Sequence, residues 1–256
     1  MNVHAYSPPR DLRSKVQRRW TQWRAATPAR LSFERPILSI CFDDFPHNAA
    51  VSGAAILERY GARGTFYAAA DLAGREGPCG QGFSADDLQR LAKGGHEIGC
   101  HTYSHRDCAR LSAYEALRDI ARNQRALNIM GHEGALQTLA YPYGETSHAL
   151  KSSLPPRFVC ARGIQPGLNI GRVDLAQLRA YPLFDAAGVA RANSALKRAA
   201  KQKAWMIAFT HDVSDTPSPW GTDTKALDAF VARARTLGFL IAPVRNIIQG
   251  LTHAAH

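Results

Sequence analysis

Short apolar runs alternate with longer amphipathic stretches along most of the chain. The runs that predict buried strands lie at 37–42, 64–69, 97–100, 137–141, 158–160, 205–210 and 239–242. Stretches with helical spacing lie at 47–60, 84–93, 111–130, 187–203 and 223–237, and glycines follow several of them. Strands that alternate with helices pair in parallel, so the pattern predicts an α/β fold, either a barrel or a doubly wound sheet.

The first segment has a different pattern, because apolar and basic residues share one helix. Leu12, Val16, Trp20 and Trp23 recur every three or four residues, with arginine and lysine on the other faces. One interpretation is a helix within residues 10–25 that lies on an anionic membrane surface. The other is a helix that docks its two tryptophans on the folded body, which is the usual role of such a stripe.

Size and charge indicate a globular protein with a basic extension. The 256 residues are 45% apolar and carry a net charge of +11. Residues 1–36 hold eight basic and two acidic side chains, a net charge of +6, and the rest of the chain holds +5. We therefore predict a basic, helical extension over 1–36 and a main domain over 37–256. No nucleic-acid-binding signature accompanies the charge, so a nucleic-acid partner is not expected.

Cysteines and apolar runs bear on the cellular compartment. Five cysteines without a C-x-x-C spacing argue against a disulfide framework and against a structural zinc site. The N-terminal residues lack the apolar core of a secretory signal, and no run reaches the ~18–20 apolar residues of a membrane span. These features predict a cytoplasmic protein that has the basic helix for peripheral contact at the inner membrane surface. They do not predict an oligomeric state.

Polar clusters follow three of the predicted strands, at the edge where parallel α/β folds place their active sites. Asp43 and Asp44 follow the first run, and Pro46 predicts a turn that would let one carboxylate bind a metal while the other stays free as a base. His101 and His105 follow the third run. Histidines four residues apart face the same way on a helical turn and can share a metal.

The three clusters together favour a functional site over chance. Two histidines and a carboxylate make an open metal site, typical of catalytic zinc and of some iron sites. His211, followed by Asp212, ends the run 205–210 and offers an imidazole as general acid. Each cluster also has a simpler interpretation, as a turn or helix cap, a chance pair of surface histidines, or a satisfied His–Asp pair. A different polar set after each of three strands is harder to explain by chance.

These residues resemble the motifs of the polysaccharide deacetylases that share the NodB-type homology domain, carbohydrate esterase family 4. The run Ile-Cys-Phe-Asp-Asp-Phe-Pro at 40–46 is similar to the family's Thr-Phe-Asp-Asp-Gly-Pro, and His-Thr-Tyr-Ser-His at 101–105 matches His-Ser/Thr-x-x-His. Ala-Tyr-Pro-Tyr-Gly at 140–144 partly matches Arg-x-Pro-Tyr-Gly, and 207–211 matches the late apolar strand that ends in histidine. The likeness runs from about residue 37 to the C-terminus.

The resemblance implies a distorted (β/α) barrel with fewer than eight complete units, and it implies a role for individual residues. Asp43 would be the catalytic base, His211 the general acid, and the backbone N–H of Tyr143 part of the oxyanion site. The ligands of one divalent metal would be Asp44, His101 and His105. Zinc is the default for this donor set, and cobalt, nickel, manganese and iron also suit such open sites.

The sequence departs from the family pattern at several positions. Phe45 replaces a glycine, which we expect to change the rim of the site. Ala140 stands where the family has an arginine that tunes the base, and Arg162 is our candidate for the replacement cation, unless it is an ordinary surface residue. The family's Asp-x-x-Asp-Trp motif is not recognisable. Asp174 is our candidate for orienting His211, unless it caps a helix.

The implied function is removal of an acetyl or other acyl group from an N-acetylated sugar or polysaccharide precursor, with a carbohydrate or glycolipid as substrate. Trp220, in a loop rich in turn formers, would stack on a sugar or anchor the loop. Two alternatives stay open: an ester deacylase or deformylase of a lipid-linked sugar, and a non-catalytic carbohydrate-binding module on the same fold. Asp43 and His211 argue against the second, because binding alone needs neither a base nor an acid.

Overall fold

The computed structural model describes residues 7–9 and 11–253; Arg10 of the predicted basic helix and both chain ends lie outside it. The strands are β1 Pro28–Leu31, β2 Ile37–Asp43, β3 Thr65–Ala68, β4 Glu76–Gly77, β5 Gly80–Gln81, β6 Glu97–Cys100, β7 Thr138–Ala140, β8 Cys160–Arg162, β9 Gly171–Asp174, β10 Tyr181–Pro182, β11 Trp205–Thr210, β12 Val213–Ser214, β13 Thr222–Asp223 and β14 Leu240–Ile241. The α-helices are α1 Leu12–Trp23, α2 Ala54–Arg59, α3 Ala85–Lys93, α4 Ala113–Ile129, α5 His148–Ser152, α6 Ala186–Gln202, α7 Thr224–Thr236 and α8 Val244–His253.

A parallel sheet forms the centre of the molecule. Its strand order is β10-β11-β2-β3-β6-β7-β8, and every neighbouring pair is parallel. The first half of β2 also pairs with β14, whereas its second half pairs with β3. The sheet curls into an incomplete barrel whose edges are β8 and β10. The predicted distorted barrel is therefore confirmed.

Each central strand is buried on both faces, which explains the unbroken apolar runs of the sequence. Successive side chains of a strand point to opposite faces. In β2, Leu38, Ile40 and Phe42 belong to the core between sheet and helices, and Ile37 and Cys41 belong to the core inside the barrel. The strand has no solvent-facing side, so all seven of its residues are buried.

One end of the barrel is closed by the C-terminal helix. The carboxylate of Glu97, at the start of β6, accepts hydrogen bonds from Thr65 Oγ1 (2.9 Å), Thr138 Oγ1 (2.6 Å) and the backbone N–H of Arg245 (2.9 Å). Glu97 thus binds the first turn of α8, where backbone N–H groups have no partner within the helix. Helix α8 thus covers the amino ends of the strands, whereas the polar clusters of the sequence lie at their carboxyl ends.

The predicted elements are present in the predicted order, with shifted ends. Ser84 and Ser112 begin α3 and α4 with capping boxes. The helix predicted at 47–60 begins with a π-helical turn at Ala49–Gly53. The strand predicted at 158–160 lies two residues further on, as β8, so Arg162 belongs to a strand. Several short elements were not predicted, namely β1, β4, β5, β9, β10, β12, β13, α5 and α8.

The N-terminal segment packs on the body mainly through residues other than its tryptophans. β1 pairs antiparallel with β9, and Leu31 is buried in the barrel core. Trp20 and Trp23 of α1 are 48% and 83% exposed. The ring of Trp20 meets His148 of α5 edge-on, with 5.9 Å between the ring centroids, but the opposite face of the helix, with the buried Thr21, makes the main contact. The interpretation that both tryptophans dock on the body is therefore wrong. Within the described residues, no helix is long and apolar enough to cross a membrane.

Candidate active site

Five polar residues meet at the carboxyl ends of the parallel strands. Asp43 ends β2, and His101 directly follows β6. Tyr143 lies in a 3₁₀ turn after β7, Arg162 ends β8, and His211 directly follows β11. Because parallel strands end at the same edge of a sheet, chain segments more than a hundred residues apart converge there.

Asp44, His101 and His105 form a donor set suited to a divalent metal. One ligand atom from each lies within 4.8 Å of the others. Asp44 Oδ1 lies 3.3 Å from His105 Nε2 and 3.6 Å from His101 Nε2. This oxygen is buried and accepts no hydrogen bond from any residue that the structure describes. A buried carboxylate oxygen that faces two imidazole nitrogens needs a cation, so the residues fit the metal that the sequence implies.

The histidines are held in the form that binds metals. His101 Nδ1 donates a 2.7 Å hydrogen bond to the carbonyl of Ala140, which leaves Nε2 as the unprotonated nitrogen that faces Asp44. Burial lowers the pKa of His101 and of His105 to about 4. Both imidazoles are therefore neutral at pH 7 and offer a lone pair.

Left-handed backbone, rather than a helix, brings the donors together. Asp44 (φ 55°), Thr102 (φ 61°), His105 (φ 50°) and Tyr143 (φ 58°) all have positive φ without being glycine. The prediction that the two histidines share one face of a helical turn is wrong, since residues 101–105 form a loop. Strained conformations of this kind persist where the surrounding contacts enforce them, and they concentrate at functional sites.

The enforcing contacts come from α4, which sequence reasoning did not connect with the site. Asp119 accepts hydrogen bonds from the backbone N–H groups of Tyr103 and Ser104 and from Ser104 Oγ, each 3.0 Å long. One turn further on, the amide side chain of Asn123 is fully buried. It donates to the carbonyl of Ala68, the last residue of β3, and accepts from the backbone N–H of Ala70 just beyond it. In the sequence, Asp119 and Asn123 stand out only as two polar residues four positions apart on a predicted helix. That spacing does not identify the loop that they contact.

We expect Asp119→Ala to weaken metal binding by about 10–100-fold, the usual cost of losing a residue that orients metal ligands. The loop between the two histidines would lose three hydrogen bonds while the ligands themselves stay in place. Zinc affinity measured by competition with a chromogenic chelator tests this. Glu115→Ala is the matched control, since Glu115 bonds the cap of the same helix. Equal affinities of the two variants would contradict a role for Asp119 in holding the loop.

Asp43 forms a buried ion pair with Arg162. Both side chains are almost fully buried, and an Arg162 Nη2–Asp43 Oδ1 hydrogen bond joins them. Burial is the largest single influence and raises the pKa of Asp43, but the charge and hydrogen bond of Arg162, together with the nearby His101 and His211, outweigh burial and hold that pKa below its ordinary value. The guanidinium lies over the rings of Tyr67 (4.7 Å) and Phe209 (5.0 Å), which fix its plane. Asp43 is thus ionised and oriented.

Arg162 lies beside the position of the missing family arginine. Ala140 and Arg162 are direct partners in the register of β7 and β8. Partners in register on adjacent parallel strands point to the same face of the sheet. Arg162 therefore enters the barrel from the neighbouring strand, next to the place where an arginine at Ala140 would enter it.

His211 is oriented by the loop that follows it, and not by Asp174. Its Nδ1 lies 3.2 Å from the carbonyl of Trp220, and its backbone N–H donates to the same oxygen. Asp174 instead accepts hydrogen bonds from Lys151 Nζ (2.8 Å) and from the backbone N–H of Thr27 (2.9 Å). The prediction that Asp174 orients His211 is wrong, because its oxygens hold the N-terminal segment to the body.

Of the two aromatic residues that the sequence singled out, Phe45 lies elsewhere than expected and Trp220 does not. Phe45 is fully buried and stacks on Phe83 at 4.3 Å, so it lies in the core instead of on the rim. Trp220 is 37% exposed at the end of the loop. Asp212 braces that loop through Ser218, and a Cβ at Gly221 would overlap the Asp212 carboxylate. The main chain of Trp220 positions His211, which leaves its side chain free for either predicted role.

Comparisons with known proteins bear on the family and on the fold. Residues 31–154 match the sequence profile of the family described as polysaccharide deacetylase. No curated protein sequence matches the chain.

Three solved structures with this fold are similar over most of the chain. The Xyl-CE4 domain of a multidomain xylanase from the hindgut metagenome of Trinervitermes trinervoides superimposes with a TM-score of 0.61 at 18% identity, over 86% of this chain and 92% of that chain. A family 4 acetyl xylan esterase from Clostridium thermocellum, in complex with cobalt, gives 0.59 at 20% identity, over 83% and 90%. A CE4 family pseudoenzyme from Bacillus anthracis gives 0.56 at 13% identity, over 84% and 66%.

Proposed function

Because the chain carries a polysaccharide deacetylase domain of the NodB type, we propose that it is a metal-dependent hydrolase that removes an acetyl group from an N-acetylated carbohydrate or glycolipid. The main support for the proposal is that a candidate metal site and a candidate base lie side by side at one edge of the barrel. The donor set of Asp44, His101 and His105 has a buried carboxylate oxygen that no group in the described part of the chain donates to. Beside it, Asp43 is ionised and takes no part in that set.

The donor set would hold one divalent cation, with zinc as the default and cobalt, nickel, manganese or iron as alternatives. When bound, the cation supplies a Lewis acid that polarises the acyl carbonyl and makes a water more acidic. The neutral imidazoles of His101 and His105 give up no proton when they bind it. Their low pKa values thus keep the site ready for metal at neutral pH.

The chain's own residues would move the protons. Asp43 accepts a proton from the water that attacks the acyl carbon, and Arg162 keeps that carboxylate ionised beforehand. The backbone N–H of Tyr143 donates to the carbonyl oxygen as negative charge develops on it. His211, in its imidazolium form, donates the Nε2 proton to the leaving amine nitrogen, while its Nδ1–H stays bonded to the Trp220 carbonyl. The C–N bond breaks, and acetate and the free amine are released.

A second candidate function is carbohydrate binding without catalysis, because one of the similar structures is a pseudoenzyme. The ionised Asp43 beside the donor set argues against it, since a binding module has no need for a buried charge that is costly to desolvate. An ester deacylase or a deformylase would use the same residues and differ only in the acyl substrate. The cytoplasmic location predicted from the sequence is part of this proposal.

Removal of metal should abolish acetate release, and readdition of zinc or cobalt should restore it. The assay compares N-acetylglucosamine oligomers and acetylated glycolipids before and after chelation, with metal content measured in parallel. His105→Gln should lose both metal and activity, whereas His47→Gln is the matched control, because the exposed His47 pairs with Asp87 outside the site. Full activity of metal-free protein would contradict metal dependence. A metal-loaded protein that releases no acetate from any substrate would contradict the deacetylase proposal.

A further inference from the structure

The N-terminal helix α1 is amphipathic, but it is mounted with its apolar face outward. Leu12, Val16, Trp20 and Trp23 lie on one stripe and are 79%, 60%, 48% and 83% exposed. The opposite face makes most of the contact with the body, where Thr21 is buried, and the stripe adds one edge contact between Trp20 and His148, with 5.9 Å between the ring centroids. A surface helix normally buries its apolar side and presents its polar side to water. The inverted orientation therefore needs an explanation.

Specific contacts hold this orientation. Lys151 is buried, and its ammonium donates to the carbonyls of Thr21 (2.7 Å) and Arg24 (2.9 Å) at the end of α1. The same ammonium forms an ion pair with the carboxylate of Asp174, at 2.8 Å from Nζ to Oδ2. Arg18, on the inner face of the helix, pairs with Glu145 at 2.5 Å. The helix cannot roll its stripe onto the body without breaking these bonds, so the exposed stripe is a fixed surface.

Cations border the apolar stripe on both sides. By helical spacing, Lys15 and Arg19 lie along one edge, and Arg13 and Arg24 lie along the other. The guanidinium of Arg24 lies 4.7 Å from the Trp20 ring centroid. Residues 12–24 contain no acidic side chain. Within the described residues, these four cations form no ion pair. An apolar strip with tryptophans, bordered by such positive charge, matches the chemistry of an anionic lipid surface, which offers acyl chains and negative head groups together.

We propose that α1 is a docking surface for an anionic phospholipid bilayer. A second copy of the chain fits this surface poorly, because a symmetric contact would bring the cations of two stripes together with no acidic side chain from residues 12–24 to offset them. An acidic polysaccharide or nucleic acid would neutralise the cations but would offer no apolar phase for Leu12 and Val16.

The bilayer surface also bears on the substrate, a step that rests on the proposed function. Glu145, the partner of Arg18, lies two residues after Tyr143, whose ring contacts His105 at 4.7 Å. Ile164, 40% exposed, packs beside Gly144 on the same rim. A chain docked through α1 thus holds the rim of the candidate active site near the head groups. The substrate class that fits is an N-acylated sugar attached to a lipid.

Vesicle binding tests the docking surface. The full chain is sedimented with vesicles of equal parts phosphatidylglycerol and phosphatidylcholine, and with phosphatidylcholine alone. We expect binding to the anionic vesicles only, weakened by salt. Val16→Ser with Trp23→Ser should weaken it by about tenfold or more, and Lys15→Gln with Arg19→Gln by at least about tenfold. These residues are exposed, so folding should be unaffected.

Matched controls change equally exposed residues elsewhere. Ile129→Ser with Tyr114→Ser removes apolar surface from α4, and Lys197→Gln with Lys201→Gln removes charge from α6. Neither pair should change vesicle binding. The proposal would be overturned if wild-type protein did not bind anionic vesicles. It would also be overturned if the stripe variants and the control variants lost vesicle binding to the same degree. A dimer in sedimentation that the stripe variants dissociate, without vesicle binding, would point to a second copy instead.

The same variants separate this inference from the proposed function. The stripe variants should release acetate from soluble oligomers at the wild-type rate and lose activity only on acetylated glycolipid in anionic vesicles. Wild-type activity on soluble oligomers without vesicle binding would overturn the docking surface and leave the deacetylase proposal standing. Vesicle binding by a metal-loaded protein that releases no acetate would support the docking surface and overturn the deacetylase. Equal activity of wild type and stripe variants on vesicle substrate would overturn the lipid-linked substrate class.

Discussion

Replacing Asp43 by asparagine is expected to lower kcat/KM for acetate release by about a thousandfold, within the range for loss of a general base. An asparagine amide keeps the shape of the side chain but does not take up the proton of the attacking water. The donor set of Asp44, His101 and His105 stays intact, so the variant should still bind metal. Steady-state kinetics and metal content, measured on the same preparation, check both expectations.

A suitable control breaks a comparable ion pair away from the site. Asp174→Asn removes the carboxylate that pairs with the buried Lys151, as Asp43→Asn removes the partner of Arg162. We expect the control to lose some thermal stability and to keep kcat/KM close to the wild-type value. If both variants lost activity to the same degree, the effect would reflect a broken ion pair and not a lost base. Unchanged activity of Asp43→Asn would contradict the assigned role outright.

The strands and the positions of the polar clusters could be predicted because they depend on local patterns. A strand buried on both faces reads as an apolar run, and polar residues directly after it must lie at the strand's carboxyl end. Asp43, His101 and His211 all follow this rule, and the structure brings them to one edge of the barrel. Their chemical roles came from the resemblance to a family and remain proposals.

Contacts between distant segments could not be predicted in the same way. Asp174 pairs with Lys151, and Asp119 holds the loop of His101 and His105, but nothing in the sequence around either aspartate names its partner. Periodicity likewise identified the stripe on α1 without showing which face contacts the body. That orientation depends on polar contacts of Lys151 and Arg18, whose free energy is not visible in a hydrophobic pattern.

The position of the buried cation explains how the chain tolerates Ala140. An ionised carboxylate inside a barrel requires a fixed opposite charge, and breaking a buried pair costs about 3–5 kcal/mol because one charge is left alone. The requirement is for a guanidinium near Asp43, and not for a particular strand to carry it. Since β7 and β8 are adjacent and in register, an arginine at position 140 or at position 162 would bring its guanidinium to the same region of the barrel.

We expect Arg162→Ala to lower the free energy of unfolding by about 3–5 kcal/mol and to abolish most acetate release, because buried Asp43 then takes up a proton. Chemical denaturation and steady-state kinetics measure the two effects. Arg172→Ala, which removes an exposed arginine of the neighbouring β9, is the matched control and should change neither quantity. Wild-type stability and activity in Arg162→Ala would show that the ion pair is dispensable.

Moving the arginine provides the sharper experiment. In the double variant Ala140→Arg with Arg162→Ala, the new guanidinium enters from the adjacent strand into the space vacated by the old one. We expect it to recover most of the stability and activity lost in Arg162→Ala, whereas Ala140→Arg alone should be destabilised by overpacking and by two cations around one carboxylate. Recovery in the double variant only would show that charge and place, not the strand of origin, keep Asp43 ionised. A double variant no better than Arg162→Ala would instead tie the function of Arg162 to its own packing between Tyr67 and Phe209.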